Sequence, residues 1–285
     1  SLEFLKMSDS YFSLFKEYPP WNIASLIALT FFRIIPILVL SPFLGGSVLP
    51  SPPKIGFALM LSLVMFPFLE PMSVEGLTNG FNIAPLAIQQ VGIGFIIGLL
   101  TTIPFNVASS AGAIIDHQRG AASLMVTDPA TATSTTPIGI LLNEVMLVLF
   151  FLIGGPILFF DALILSFQQL PPGKFLNAPF FTSANIFWHN MILLMNTLFS
   201  LAVRFAAPSL IAMLMADIFL GIANRLAPQV QIAFLGMPLK SLLGITLLFM
   251  GWFFILRHMS MATIDWMQTV IDLMKTLGIK ADGTL

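Results

Sequence analysis

Residues 111–137, AGAIIDHQRGAASLMVTDPATATSTTP, set Asp116, His117 and Arg119 almost side by side, with Ser109, Ser110 and Ser123 nearby. Only 9% of the chain is charged, so such a gathering invites a catalytic reading. The chemistry those types offer is a Ser/His/Asp set, with the histidine relaying a proton between acid and hydroxyl. A triad is defined by geometry, however, and neighbours such as 116 and 117 point about 100° apart on a helix. A zinc site is no better supported. The three histidines (His117, His189, His258) are scattered, and no H-E-x-x-H pair occurs. Nor is there a G-x-S-x-G elbow or a phosphate-binding glycine loop ending in Lys and Ser/Thr. The expectation is a protein that is not an enzyme and needs no cofactor. Asp116 and Arg119, three apart, are instead expected to pair on one helical face as a structural ion pair, with a direct transport role second.

The elements that must position these residues follow from composition. The chain has 285 residues, 57% of them hydrophobic, and a mean hydropathy of +0.96. Soluble domains carry about 25% charged residues, so the class is integral membrane. A net charge of −1 and the lack of any basic stripe exclude a nucleic-acid partner. Cysteine is absent, which removes disulfides and thiol chemistry. No basic region leads into a small-residue cleavage site, so no signal peptide is expected.

Residues 1–21 form an amphipathic segment suited to a surface or a partner. Apolar runs are expected at 22–40, 54–69, 83–107, 138–168, 186–223 and 232–256. They are separated by Pro/Gly-rich or polar breaks at 41–54, 70–80, 168–179 and 224–229, and an amphipathic tail runs to Lys280. Several runs reach the roughly 20 residues that cross a bilayer. Period-2 alternation is missing, so strands and a barrel are disfavoured. The fold class is all-α and membrane-type.

These runs are punctured by charges and prolines, Arg33/Pro36, Glu144/Pro156, Arg204/Pro208/Asp217 and Pro238/Lys240 among them. An ion at bilayer centre costs about 2.5–3.5 kcal/mol or more on insertion scales. Such helices therefore suit a chain that faces other protein or a water-filled path. Arg33, Glu144, Arg204, Asp217, Arg225 and Lys240 are read as assembly charges, paired between helices or between subunits, although Lys240 could also snorkel from a helix end. Gly94 and Gly98, four apart, allow close helix approach either within the chain or between chains.

Two stretches resemble a known family. AGAIIDHQRGAASLMVTDPATATSTTPIGILLNE (111–144) is similar to the central signature of the FliR/SctT family of type III secretion and flagellar export-gate subunits. ADIFLGIANRLAPQVQIAFLGMPLKSLLG (216–244) is similar to its second. The IIDHQRG wording points to the virulence injectisome branch. The resemblance implies a bacterial inner-membrane, multi-pass subunit at the centre of the secretion base, joined in one copy to SctR/FliP-type and SctS/FliQ-type subunits and to a SctU/FlhB-type switch subunit. It implies helical hairpins resembling a fusion of those first two partners, as a single domain over 1–280 with an SctR/FliP-like part at 22–180, an SctS/FliQ-like part at 181–280 and a terminal tail at 281–285. Secreted unfolded polypeptides would be the substrates. The plug loop of the closed channel would comprise Gly112, Ile114, Ile115, Asp116, Gln118, Arg119 and Gly120, with glycine freedom at 112 and 120, Ile114 and Ile115 filling the lumen, and Asp116/Arg119 latching it. The alternative is a secondary transporter with discontinuous helices, which predicts inverted-repeat halves that are not found here.

Overall fold

The structure, a computed structural model, describes residues 19–46, 49–69, 83–120, 126–127, 134–176, 186–226 and 232–276. Eight α-helices lie among them: α1 Pro20–Leu40, α2 Ser51–Leu69, α3 Ile83–Gln118, α4 Pro137–Leu152, α5 Gly155–Gln169, α6 Ile186–Leu226, α7 Ile232–Met250 and α8 Trp252–Thr276. The one strand pairing among the described residues is a two-residue antiparallel ladder, β1 Val126–Thr127 with β2 Ser134–Thr135. The all-α, membrane-type class therefore holds. Three helices are long and apolar enough to cross a membrane (Pro20–Leu40, Ile83–Gln118 and Phe199–Leu226), and up to five spans result if two broken pairs each count as one.

Local chemistry explains where helices begin and end. Proline opens α1 and α4, where its missing N–H costs nothing. Pro52 and Pro53, expected in a break, lie in the first turn of α2 for the same reason. The run expected at 138–168, interrupted by GGP at 154–156, is two helices: they part at Ile153–Gly154, where Gly154 takes φ +76°, a conformation that favours glycine. The last apolar run does not stop at Leu256. It breaks at Gly251, and α8 merges its end with the amphipathic tail. Of the amphipathic segment expected at 1–21, residues 1–18 lie outside the described residues, as do the 70–80 loop and residues beyond 276, while Pro20 and Trp21 already belong to α1.

The chain forms two compact units that interleave along the sequence. The first draws on residues up to Thr102, 157–191 and from Gln268; the second on Ile103–Pro156 and Ile192–Met267. In the first, α1 packs on α2, and α1 meets α3 at Gly94 and Gly98. A Cβ on Gly94 would strike the carbonyl oxygen of Arg33, and one on Gly98 would come within 2.8 Å of the Leu40 side chain. The glycine pair thus serves packing inside the chain. The core around it includes Leu29, Ile34, Ile37, Leu86, Ile97 and Phe167.

The second unit is built around Phe105, Ala108, Ile115, Met146, Phe150 and Met213. Phe105 and Phe150 meet edge to face with ring centres 5.4 Å apart, a favoured aromatic geometry. Buried methionines such as Met146, Met213, Met259 and Met267 fill gaps in this core, as expected of a flexible thioether.

A polar junction at the end of the third helix

The polar stretch does not begin as a loop. α3 continues to Gln118, eleven residues past the expected end at Val107, so positions 112–118 are its last two turns. Ala, Ser and Ile in VASSAGAII tolerate a helix, and no proline intervenes. Gly112 is not a hinge. A Cβ there would lie 2.6 Å from Gly139 Cα and N and from Ile138 C, so this glycine lets the backbones of α3 and α4 touch. The chain leaves the helix at Gly120, whose φ of +83° is the left-handed stop expected of glycine. Ile115 is buried in the chain's own core and Ile114 is half-buried, so neither is free to fill a lumen in this conformation.

Asp116 is fully buried and both carboxylate oxygens are used. Arg119 Nε donates to Oδ1 at 2.5 Å, the expected pair one helical turn on. The backbone N–H of Ile138 donates to Oδ2 at 2.7 Å. Ile138 is in the first turn of α4, whose own N-cap, Thr136, makes no side-chain capping bond. Asp116 therefore caps α4 from 22 residues away, meeting an unpaired N–H and the positive end of the helix dipole. His117, next in sequence, is exposed and makes no hydrogen bond among the described residues, so Asp and His do not form a relay.

The second signature comes to the same place. Arg119 Nη1 donates to Ser241 Oγ of α7 at 3.4 Å. Gln118 Nε2 donates to Asp217 Oδ2 of α6 at 3.3 Å, and Lys240 of α7 pairs with the other oxygen of Asp217. Gly244, one turn beyond Lys240, packs beside the arginine stem; a Cβ there would make ordinary contacts with Met213 Sδ at 3.4 Å and Arg119 Cδ at 3.7 Å. Four charges, Asp116 on α3, Arg119 in the turn after it and one each on α6 and α7, thus join the end of α3 to three other helices. The inner pair is dry, with Arg119 9% exposed, whereas Lys240 and Asp217 are 24% and 35% exposed. The outer pair is accordingly the weaker one.

The other charges read from the sequence as assembly charges divide. Arg33 is buried in the first unit and tied down within it. Its Nε donates to Gln90 Oε1 at 2.6 Å, Nη1 to the Ser166 carbonyl at 3.0 Å, and Nη2 to the Leu170 carbonyl at 2.7 Å. The guanidinium lies 4.2 Å from the Phe167 ring centre. It meets the carbonyls at the C-terminal end of α5, sharing the Ser166 oxygen with the Leu170 N–H and taking the Leu170 carbonyl just beyond the helix. Gln90 returns a bond to Pro172 O, and Gln89 holds both Lys174 O and the Leu176 N–H, so α3 clamps the connector after α5. Glu144 is half-buried on α4, while Arg204 and Arg225 are exposed on α6. Sequence reasoning missed Gln90, Ser166, Gly139, Ser241 and Gly244. A lone glutamine pair inside an apolar run was the available signal for Gln90; Ser241 and Gly139 gave none.

Residues 24–265 match the family described as bacterial export proteins, family 1. The chain belongs to this family. Among other members, the secretion system apparatus protein SsaT of Salmonella typhimurium is 30% identical over 242 residues, 84% of this chain and 90% of that one. Yop proteins translocation protein T of Yersinia pestis is 30% identical over 234 residues, 82% of this chain and 85% of that one. The flagellar biosynthetic protein FliR of Bacillus subtilis is 26% identical over 249 residues, 86% and 94% of the two chains. In this export protein the junction lies wholly within the matched region, and both signatures contribute to it.

Proposed function

We propose that this export protein is a structural subunit of a type III protein export gate in the bacterial inner membrane. It assembles with SctR/FliP-type and SctS/FliQ-type subunits, and with a SctU/FlhB-type subunit, into a closed helical channel for unfolded polypeptides. Its two parts, 22–180 and 181–280, correspond to a fusion of the first two partner types. The segment from Gly112 through Gly120 towards α4 obstructs the path. The observation that carries this reading is that both family signatures, a hundred residues apart, converge on one charged junction anchoring that segment.

The junction suits an obstruction that must hold and then yield. Asp116 ties the two ends of the 116–138 segment together, while Gln118, Asp217 and Lys240 tie it to α6 and α7. An exposed pair contributes at most about 1 kcal/mol, so the outer contacts bias closure without locking it. No nucleotide-binding loop is present in the sequence, so the energy for transport comes from other components. The test is co-expression with the neighbouring export subunits, native mass measurement, and conductance of the purified complex. Lys240→Met should raise resting ion leakage while the complex stays intact. A chain that remains monomeric beside its partners refutes the assembly reading, and unchanged leakage refutes the obstruction.

A further inference from the structure

From Ser241 to Leu256 the chain reads SLLGITLLFMGWFFIL, a charge-free stretch between Lys240 and Arg257. It is broken at Gly251, where α7 and α8 part by a 64° bend. Leu242, Ile245 and Phe249 are exposed at one-turn spacing along α7, and Met250, Phe253 and Phe254 are exposed around the corner. Phe249 and Phe253, one on each arm of the bend, are 79% and 77% exposed. A neighbouring helix packs along one axis, so a straight one cannot follow both arms. Fluid acyl chains can.

The exposed face of α8 then changes character along its length. After Phe253 and Phe254 come Arg257 and His258, one turn on, and only then Asp265, Gln268 and Asp272. Lys275, farther still, is held by Asp272 at 2.8 Å. Arg257 has no hydrogen bond or ion pair among the described residues, and the His258 ring lies 4.6 Å from that of Phe254. Apolar, then cationic, then acidic is the order a helix needs to leave hydrocarbon through an anionic headgroup layer. From Arg257 to Asp265 the helix rises about 12 Å, more than the Debye length of about 8 Å at physiological salt. The acids therefore do not cancel the attraction of an anionic surface for Arg257.

We infer that the α7–α8 corner is a binding site for an anionic phospholipid. Met250, Phe253 and Phe254 enter the acyl layer, and Arg257 and His258 hold the phosphate at its edge. The guanidinium fork matches two phosphate oxygens, and the imidazole adds an N–H donor. This site goes beyond the export-gate role and does not depend on it.

The test uses the purified full chain, titrated with phosphatidylglycerol and with phosphatidylcholine under native mass measurement. Phosphatidylglycerol should be retained in preference. Arg257→Gln should lower that retention about fivefold, the effect of one cation beside an anionic surface, whereas Arg257→Lys, which keeps the charge, loses less. Lys275→Gln, at the polar end of the same helix, should leave it unchanged. The chain has no cysteine, so Phe253→Cys carries a single nitroxide label. In vesicles of the two lipids, dissolved oxygen should relax that label and an aqueous nickel chelate should not reach it; Gln268→Cys should show the reverse. Both labels are read in the isolated chain and in the complex co-purified with the neighbouring export subunits. Equal retention of the two lipids, or unchanged retention by Arg257→Gln, overturns the headgroup site. A label at 253 reached by nickel overturns the acyl contact. So does one shielded from both oxygen and nickel in the complex, because protein then covers the corner. If no complex forms, the export-gate role fails while the isolated chain still decides the lipid site.

Discussion

Gly112→Ala tests the contact on which the junction depends. The new Cβ would sit 2.6 Å from three backbone atoms of α4, where ordinary contacts begin near 3.4 Å. Backbone cannot rotate away as a side chain can, so α3 and α4 must part by about 1 Å. That displacement carries the Ile138 N–H from 2.7 Å to about 3.7 Å from the Asp116 carboxylate, beyond hydrogen-bond range. Overpacking costs about 1–3 kcal/mol and loss of a bond to a charged group about 1.5–3 kcal/mol. Alanine's better helix propensity returns about 1 kcal/mol. The net destabilisation is about 1.5–5 kcal/mol, which lowers the melting temperature by roughly 3–20 °C for a chain of this size. The assay is thermal unfolding of the purified chain in detergent, with Gly92→Ala as control. Gly92 also lies in α3, but a Cβ there meets nothing within 4 Å, so that variant should melt at or slightly above wild type. A Gly112→Ala protein melting within about 2 °C of wild type would refute the close approach of the helices, since the added methyl would meet no obstacle.

Asp116→Ala leaves Arg119 nearly buried without its partner and uncaps α4; a loss of about 3–5 kcal/mol is expected, measured by the same melting assay. Asp217→Asn removes a partly exposed pair, so isolated-chain stability should fall by no more than about 1 kcal/mol, and the difference should shrink as salt is raised. Arg33→Lys replaces a fork by a point charge that cannot reach Gln90, Ser166 and Leu170 together. Expression in the membrane fraction and melting temperature should both drop, whereas Arg257→Lys at an exposed site should change neither.

Much of the architecture was written in one dimension. Composition alone placed the chain in the membrane class, because 57% apolar residues cannot be solvated. Periodicity and punctuation located most of the described long helices, and the 116/119 spacing anticipated the ion pair, since one helical turn is a local property. What failed was the end of α3, read as a loop from Val107. Glycine and polar residues look like punctuation in sequence, yet Gly112 lies inside the helix, at a point where Gly139 of α4 leaves room only for a hydrogen. The break at Gly251 was missed for the converse reason, as hydropathy runs through it unchanged.

Pairing between distant segments was beyond sequence reasoning. Arg33 was read as a charge seeking another charge, but its acceptors are a glutamine and carbonyls at the end of α5, which every sequence possesses and only a fold can aim. Asp116 was expected to hold Arg119; that it also caps α4 depends on where residue 138 arrives. The meeting of Gln118 with Asp217, and of Arg119 with Ser241, likewise depends on α6 and α7 reaching the end of α3. Local spacing determined which charges could pair with neighbours along a helix. Only tertiary packing decided which orphaned helix ends they would satisfy, because unpaired N–H and carbonyl groups have no residue signature.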